Sequence, residues 1–281
     1  MMRPRFADEP TSRLAIWARR IAVFSLVAAL LSIVIVRAGW LDVWPALATF
    51  GGALALAVAA ILLAIGAFVV IWREGCRGLG HAVVGLVIGL ALIGYPGYLG
   101  VQAYRLPSIS DVTTDPIDPP RFEAIARLRG RDSNPIAYAG LYAAELQRAA
   151  YPEVEPLILT GTAQSAYDAA MAVITKRKWR VVDARPPRPD RDGHIEAVAR
   201  TLIMGFREDV VVRVRATGDS TRIDVRSASR YGQHDFGANA ARIRSLVDDI
   251  DDYVGNEKLE RAPPRPVQKA SQPTRGHPAR R

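Results

Sequence analysis

Apolar positions fall along this chain in two regimes. Nearly all the long apolar runs fall before Tyr104; after it apolar positions recur at intervals of two or of three and four. A helix needs about 20 apolar residues to cross roughly 30 Å of hydrocarbon. Three stretches meet that length: Ile21–Val36, extended backward by Leu14–Trp17; Ala46–Trp72, which carries no charge; and Ala82–Val101. The pattern predicts three membrane helices within residues 21–104, joined by short loops. Two further spans follow the first, and its apolar core is long, so it reads as a retained anchor rather than a cleaved signal.

The segment 105–120 is rich in Pro, Asp, Ser and Thr and is expected to be an extended linker. Phe122–Arg129 and Ala137–Ala150 suit short helices. From Leu157 the periodicity sharpens. Leu157–Thr160 is a short strand, and Thr162 caps a helix over Ala163–Lys178. Trp179–Ala184, His194–Ile203, Val210–Thr217 and Arg222–Ser229 follow as strands. A last helix is expected to open at Asp235 and to bury Phe236, Ala240, Ile243, Val247, Ile250 and Val254 on one stripe. Strand, helix, four strands and helix in this order predict an α+β fold. Three transmembrane helices precede a two-layer domain, its antiparallel sheet covered by helices, over residues 121–257. The residues from 258 to 281 are Pro- and Arg-rich and are expected to be a disordered basic tail.

Charge changes the picture in one respect. The net charge of +9 divides into +3 in residues 1–20 and +6 in residues 261–281, so the body between them is formally neutral. The basic balance therefore belongs to the two ends and gives no reason to expect a nucleic-acid partner. The distribution of Lys and Arg also sets orientation. Five arginines precede the first span, Arg73 and Arg77 lie between the second and third, and only Arg37 lies between the first and second. This places the basic N-terminus, residues 1–20, in the cytoplasm. The C-terminal domain is then periplasmic in a multi-pass bacterial inner-membrane protein. Trp40, Trp44, Trp72 and Tyr104 sit at span ends, where amphipathic rings prefer the headgroup layer. Gly85 and Gly89 in the third span allow close helix approach.

Strand alternation assigns faces. Ile223, Val225, Ser227 and Ser229 share one side of the last strand, and Arg222, Asp224, Arg226 and Arg230 the other. The second side, with Arg200, Arg213 and Arg215, is expected to be an open arginine-lined face interrupted by Glu196 and Asp224. It reads either as a solvated face of cross-strand ion pairs or as a surface for an anionic ligand.

The chemistry-bearing residues concentrate in Arg226–Asn239. Ser229, His234 and Asp235 are residue types of a hydrolase, but neighbouring His and Asp side chains diverge and no Gly-x-Ser-x-Gly elbow is present. A structural motif is the alternative. In it Gly232 permits a positive φ, Asp235 caps the helix, Ser227 and Ser229 bond its exposed amides, and Asn239 and Arg230 lock strand to helix. A third reading has the helix amides, Arg230 and Arg242 holding an anion. The histidines and carboxylates show no metal-ligand spacing, no cofactor fingerprint is present, and the lone Cys76 forms no intramolecular disulfide.

Arg226–Asn239, Gly237 included, together with Gly205–Val214 and Asp111–Phe122, resembles the domain of unknown function 1499 family over roughly residues 107–255. The resemblance implies a bacterial or plastid-lineage protein, often membrane-attached or exported, without an established activity. Soluble relatives carry a Cys-containing segment at the domain start, which this chain lacks. The combined expectation is a periplasmic, non-catalytic binding or envelope-associated domain. Its expected partners are the bilayer and an anionic ligand or an envelope protein. The alternative is a membrane-anchored hydrolase using Ser229 and His234.

Overall fold

The structure is a computed structural model and describes residues 10–261, with side chains to residue 256. Residues 1–9 of the expected basic N-terminus and 262–281 of the expected tail lie outside the described residues. Three helices open it: α1 Arg13–Ala38, α2 Val43–Glu74 and α3 Leu79–Arg105. All three are long and apolar enough to cross a membrane. They pack through small residues. Ala53, Ala57, Ala60, Ala64 and Ala67 of α2 are buried at alternating steps of four and three, as are Ala15, Ala18, Ala22, Ser25 and Ala29 of α1. Apolar helices placed in lipid have no hydrophobic drive to associate, and close backbone approach and hydrogen bonds then supply the contact. Ser25 Oγ of α1 donates to the Ala53 carbonyl at 2.6 Å. A Cβ on Gly85 would lie 2.9 Å from the Ala18 carbonyl carbon, and one on Gly89 would lie 2.5 Å from Ile61 Cγ1. Both glycines thus serve packing within the bundle.

The sheet domain begins earlier than a linker over residues 105–120 allows. Asp111–Thr113 forms β1, which pairs with the last strand. A 3-10 turn at Ile125–Leu128 and α4, Leu141–Ala150, follow. Next come β2 Leu157–Thr160, α5 Ala163–Lys176, β3 Arg180–Arg185, β4 Gly193–Arg200, β5 Arg207–Thr217, β6 Ser220–Ser229 and α6 Ala238–Arg261. The sheet is antiparallel in the order β1-β6-β5-β4-β3, and β2 shares the outer edge of β6 with β1. Thr114 bridges the gap between these two short strands. Its amide donates to the Val225 carbonyl, and its Oγ1 accepts from the Val225 amide, each at 2.9 Å. Gln147 of α4 closes the remaining edge of β1 by bonding both the amide (2.9 Å) and the carbonyl (2.7 Å) of Thr113. An exposed row of unpaired backbone groups is thereby avoided.

One face of the sheet packs on α5 and α6. Val210, Val212, Val214, Ile223 and Val225 meet Ala170, Val173 and Ile174 of α5 and Ala240, Ile243, Leu246 and Ile250 of α6. The buried stripe of α6 centres on Leu246, with Val247 and Val254 at its margin. The helix opens at Ala238 rather than Asp235, because Phe236 (φ 53°) and Gly237 (φ 81°) are left-handed. It continues through Arg261, past the expected boundary at 258.

The opposite face is not open, and this corrects the arginine-lined surface read from the strands. The irregular segment 114–138 lies across it, and Phe122 and Ile125 pack on Val198, Val211 and Ala228.

Candidate functional site: a polar lock and an arginine-lined cleft

Two places concentrate polar chemistry. The first is where β6 meets α6. Ser227 and Ser229 point to the helix side, and Asn239, the second residue of α6, bonds both. Asn239 Oδ1 accepts from Ser227 Oγ at 2.8 Å, and its Nδ2 donates to Ser229 Oγ and to the Ser110 carbonyl, each at 3.0 Å. Ser229 Oγ donates to Glu208 Oε2 at 2.6 Å, and Arg242 Nη1 donates to Asn239 Oδ1 at 2.6 Å. Asp235 accepts from the amides of Gly237 (3.0 Å) and Asn239 (2.8 Å). Burial pushes Glu208 above its ordinary range, with Arg242 and Ser229 opposing. Asp235 is raised by burial in the same way, against its two amide donors.

Ser229 and His234 do not meet. His234 Nδ1 accepts from the Phe236 amide at 2.9 Å, so its Nε2 is the donor to the Leu106 carbonyl at 3.1 Å. These partners assign the neutral Nε2–H tautomer. The ring stacks on Phe236 with centroids 4.7 Å apart. His234 thus ties the β6–α6 turn to the end of α3, and Ser229 is buried and committed to Glu208 and Asn239. The arrangement holds no nucleophile–base pair. Gly232, at φ 80°, makes the turn. Arg230 departs from its expected role, because it faces the other side of the sheet. There its Nε and Nη2 grip Asp209 Oδ1 at 2.9 and 2.7 Å, and Arg129 takes Asp209 Oδ2 at 2.7 Å. The helix amides are occupied by Asp235 and Arg230 by Asp209, so the anion site expected there is closed.

On the covered face the strand arginines find their acids in the segment 111–118. Arg213 bonds Asp115 (3.1 Å), Asp118 (2.8 Å) and its cross-strand neighbour Asp224 (2.9 Å). Arg222 bonds Asp115 and Asp224, and Arg226 bonds Asp111. Glu196, fully buried, holds the start of the 3-10 turn. Its Oε1 accepts from the amides of Glu123 and Ala124, its Oε2 from the amide of Ile125. Burial pushes Glu196 up, but His194 and these three amides together hold it below its ordinary value. Asp183, His194 and Glu196 bring one potential ligand atom each within 4.8 Å of one another. Asp183 already pairs with Arg185 at 2.8 Å, and a cation would have to displace the donors from Glu196. This donor set does not suit a metal.

The second place is a cleft of about 660 Å³ at the start of β4 and the end of β5. The β3–β4 connection, residues 186–192, forms one wall and Asp118–Glu123 the other. Arg121, Arg185, Arg188, Arg191, Arg213 and Arg215 line it, against Asp118, Glu123, Asp190 and Asp192. Arg185 is held by Glu123 and Asp183, and Arg215 by Asp192 and Asp118. The side chains of Arg121, Arg188 and Arg191 have no carboxylate partner among the described residues. Sequence reading passed over these three because they lie on irregular loops. Three guanidiniums free to bond around a drug-sized volume suit a carboxylate or phosphate ligand, which arginine recognises through two parallel hydrogen bonds.

A family model described as Protein of unknown function (DUF1499) matches residues 111–250. No curated protein matches the chain. Among solved structures, the crystal structure of CalU16 from Micromonospora echinospora is similar over 37% of this chain and 76% of its own, at 13% identity and a TM-score of 0.26. A likeness of that strength carries no weight here.

Proposed function

The chain belongs to the DUF1499 family through residues 111–250, and from that premise we propose a multi-pass membrane protein whose C-terminal domain binds an anionic ligand without converting it. The carrying observation is the cleft with its three arginines that have no carboxylate partner among the described residues. The distribution of Lys and Arg supports an orientation with this domain in the periplasm and the spans in the inner membrane.

Geometry narrows the ligand. The β4–β5 connection contacts Arg37 at the end of α1, where Arg37 Nη1 donates to the carbonyls of Leu202 (2.7 Å) and Ile203 (3.1 Å). The cleft lies at the other end of the same two strands. Seven steps from Gly193 to Arg200, at about 3.4 Å per residue, separate the two by roughly 24 Å. The ligand is then an anion arriving from water, or an acidic segment of an envelope protein, rather than a headgroup of the supporting bilayer.

Native mass spectrometry of the full chain released from detergent tests this. An excess mass lost on denaturation, and reduced in Arg188→Ala/Arg191→Ala, is the expected result. A wild-type chain with only its own mass counts against a ligand carrier and favours a protein partner. A C-terminal alkaline phosphatase fusion tests the orientation: it is active if the domain is periplasmic.

A further inference from the structure

The β4–β5 connection, Thr201–Phe206, has the wrong composition for an aqueous hairpin turn. Such turns favour Gly, Asn, Asp and Pro, whereas this one reads Thr-Leu-Ile-Met-Gly-Phe. Leu202 at its tip is 90% exposed. Most of its carbonyls, by contrast, are bonded within the protein. The carbonyls of Leu202 and Ile203 accept from Arg37, that of Thr201 accepts from the Gly205 amide, and that of Phe206 from the Thr201 amide. Thr201 Oγ1 takes the Phe206 amide at 2.9 Å. One strongly exposed leucine beside carbonyls already bonded within the protein suits the edge of a hydrocarbon layer, where lipid offers no hydrogen bonds. Ile203 and Phe206 are half-buried and Met204 is buried, so Leu202 carries the contact.

Position supports the same conclusion. Arg37 is the penultimate residue of α1, immediately beyond the apolar run of that span, and Trp40 and Trp44 beside it are exposed as interfacial aromatics would be. At the same end of the bundle, His234 holds the β6–α6 turn against Ala103 and Leu106, next to the exposed Tyr104. The domain is thus pinned to the bundle at two points, and the apolar tip sits level with the ends of the spans. We propose that the β4–β5 tip, led by Leu202, is a membrane-contact element that enters the headgroup–acyl boundary beside α1. Its partner is the lipid surface, and Arg37 anchors the tip by donating to the Leu202 and Ile203 carbonyls. This rests on α1–α3 spanning a bilayer and is independent of what the cleft binds.

Spin labels on the full chain test it, in vesicles of phosphatidylcholine and phosphatidylglycerol. In a Cys76→Ser background, single cysteines replace Leu202, Trp40, Asp219 and Leu62. Collisions with oxygen, which concentrates in lipid, are compared with those with a water-soluble nickel chelate. The Leu202→Cys label is expected to show a ratio several-fold above that at Asp219→Cys, at the far end of the sheet, and close to that at Trp40→Cys. A ratio at 202 matching 219 overturns the proposal. Leu62→Cys, mid-α2, separates this from failure of the spans: a lipid-like ratio there with a water-like ratio at 202 rejects the tip alone. A water-like ratio at both rejects the spans and the tip together.

Discussion

Asp111 and Arg226 are joined by two side-by-side hydrogen bonds, Nε to Oδ1 at 2.9 Å and Nη2 to Oδ2 at 2.6 Å. The guanidinium lies 4.7 Å from the Phe122 ring centroid and donates to the carbonyls of Pro120 and Ile136. One arginine thereby fastens β1 and both ends of the covering segment to β6. Removing one partner leaves a buried charge unpaired, which typically costs about 3–5 kcal/mol. Asp111→Ala should therefore lower the stability of the detergent-solubilised chain by that order in chemical denaturation. The double change Asp111→Leu/Arg226→Met should cost less than the single one, because no charge is stranded.

The two buried glutamates should respond to pH with opposite signs. Glu196 is held below its ordinary value in the fold, so its contribution is present above the unfolded value of about 4.5 and is lost as pH falls through the folded one. Glu208 is raised by burial, so its contribution is present below about 4.5 and is lost as pH rises through its folded value. Glu196→Gln puts an amide donor against backbone amides and should cost about 1.5–3 kcal/mol at pH 7. Its deficit should shrink toward pH 4. Glu208→Gln keeps an acceptor for Ser229 and should be neutral or stabilising at pH 7, with the gain vanishing in acid. Urea midpoints of both variants across pH 4–8 check the signs.

Asn239 is the hub of the lock between β6 and α6. Asn239→Ala removes its bonds to Ser227, Ser229, Ser110 and Arg242 together. Burying several unsatisfied groups at about 1–3 kcal/mol each should make it more damaging than Ser229→Ala, which strands fewer. A larger loss from Ser229→Ala in thermal denaturation would move the weight of the motif from the lock to the serine.

How much of this was legible follows from what each element is made of. β2, bounded at Leu157 and Thr160, and the Thr162 cap were readable because local alternation and capping chemistry agree. β1 was not, since three residues among prolines carry no period. The covering of the sheet escaped for a related reason. Asp111, Asp115 and Asp118 look like linker polarity until the strand arginines opposite them are in place. That these acids flank a sheet whose outer positions are arginines was the one available signal. Asp235 at the helix start and Asn239 between strand and helix follow from residue type and spacing, whereas Ser227, expected on the helix amides, meets the side chains of Asn239 and Arg242 instead. Glu208 and Asp209 were not, because hydropathy marks a buried carboxylate as surface. The left-handed Phe236 shifted the start of α6, as nothing in a phenylalanine announces a positive φ.

Packing within the spans gives a separate expectation. Gly85 faces the Ala18 backbone of α1 and Gly89 faces Ile61 of α2, whereas Gly94 has nothing near its missing Cβ. Gly85→Leu and Gly89→Leu should loosen the bundle and lower its thermal stability in detergent. Gly94→Leu should leave it unchanged within about 0.5 kcal/mol. Equal effects at all three positions would mean that the glycines matter for helix flexibility rather than for contact.

The cleft arginines fall into two groups that should separate cleanly. Arg213 is tied to three aspartates and supports the fold, so Arg213→Met should weaken stability and binding together. Arg188 and Arg191 have no carboxylate partner among the described residues. Their loss should leave stability within about 0.5 kcal/mol, as for other surface changes away from packed features. If the cleft takes anions, Arg188→Ala/Arg191→Ala should nevertheless weaken binding of inorganic pyrophosphate by at least tenfold. The wild-type affinity should also fall with salt, since screening at 0.1 M reaches about 10 Å. Calorimetric titration of the full chain reads both. Pyrophosphate affinity unchanged in the double variant would show that the free guanidiniums are only solvated charges on a loop.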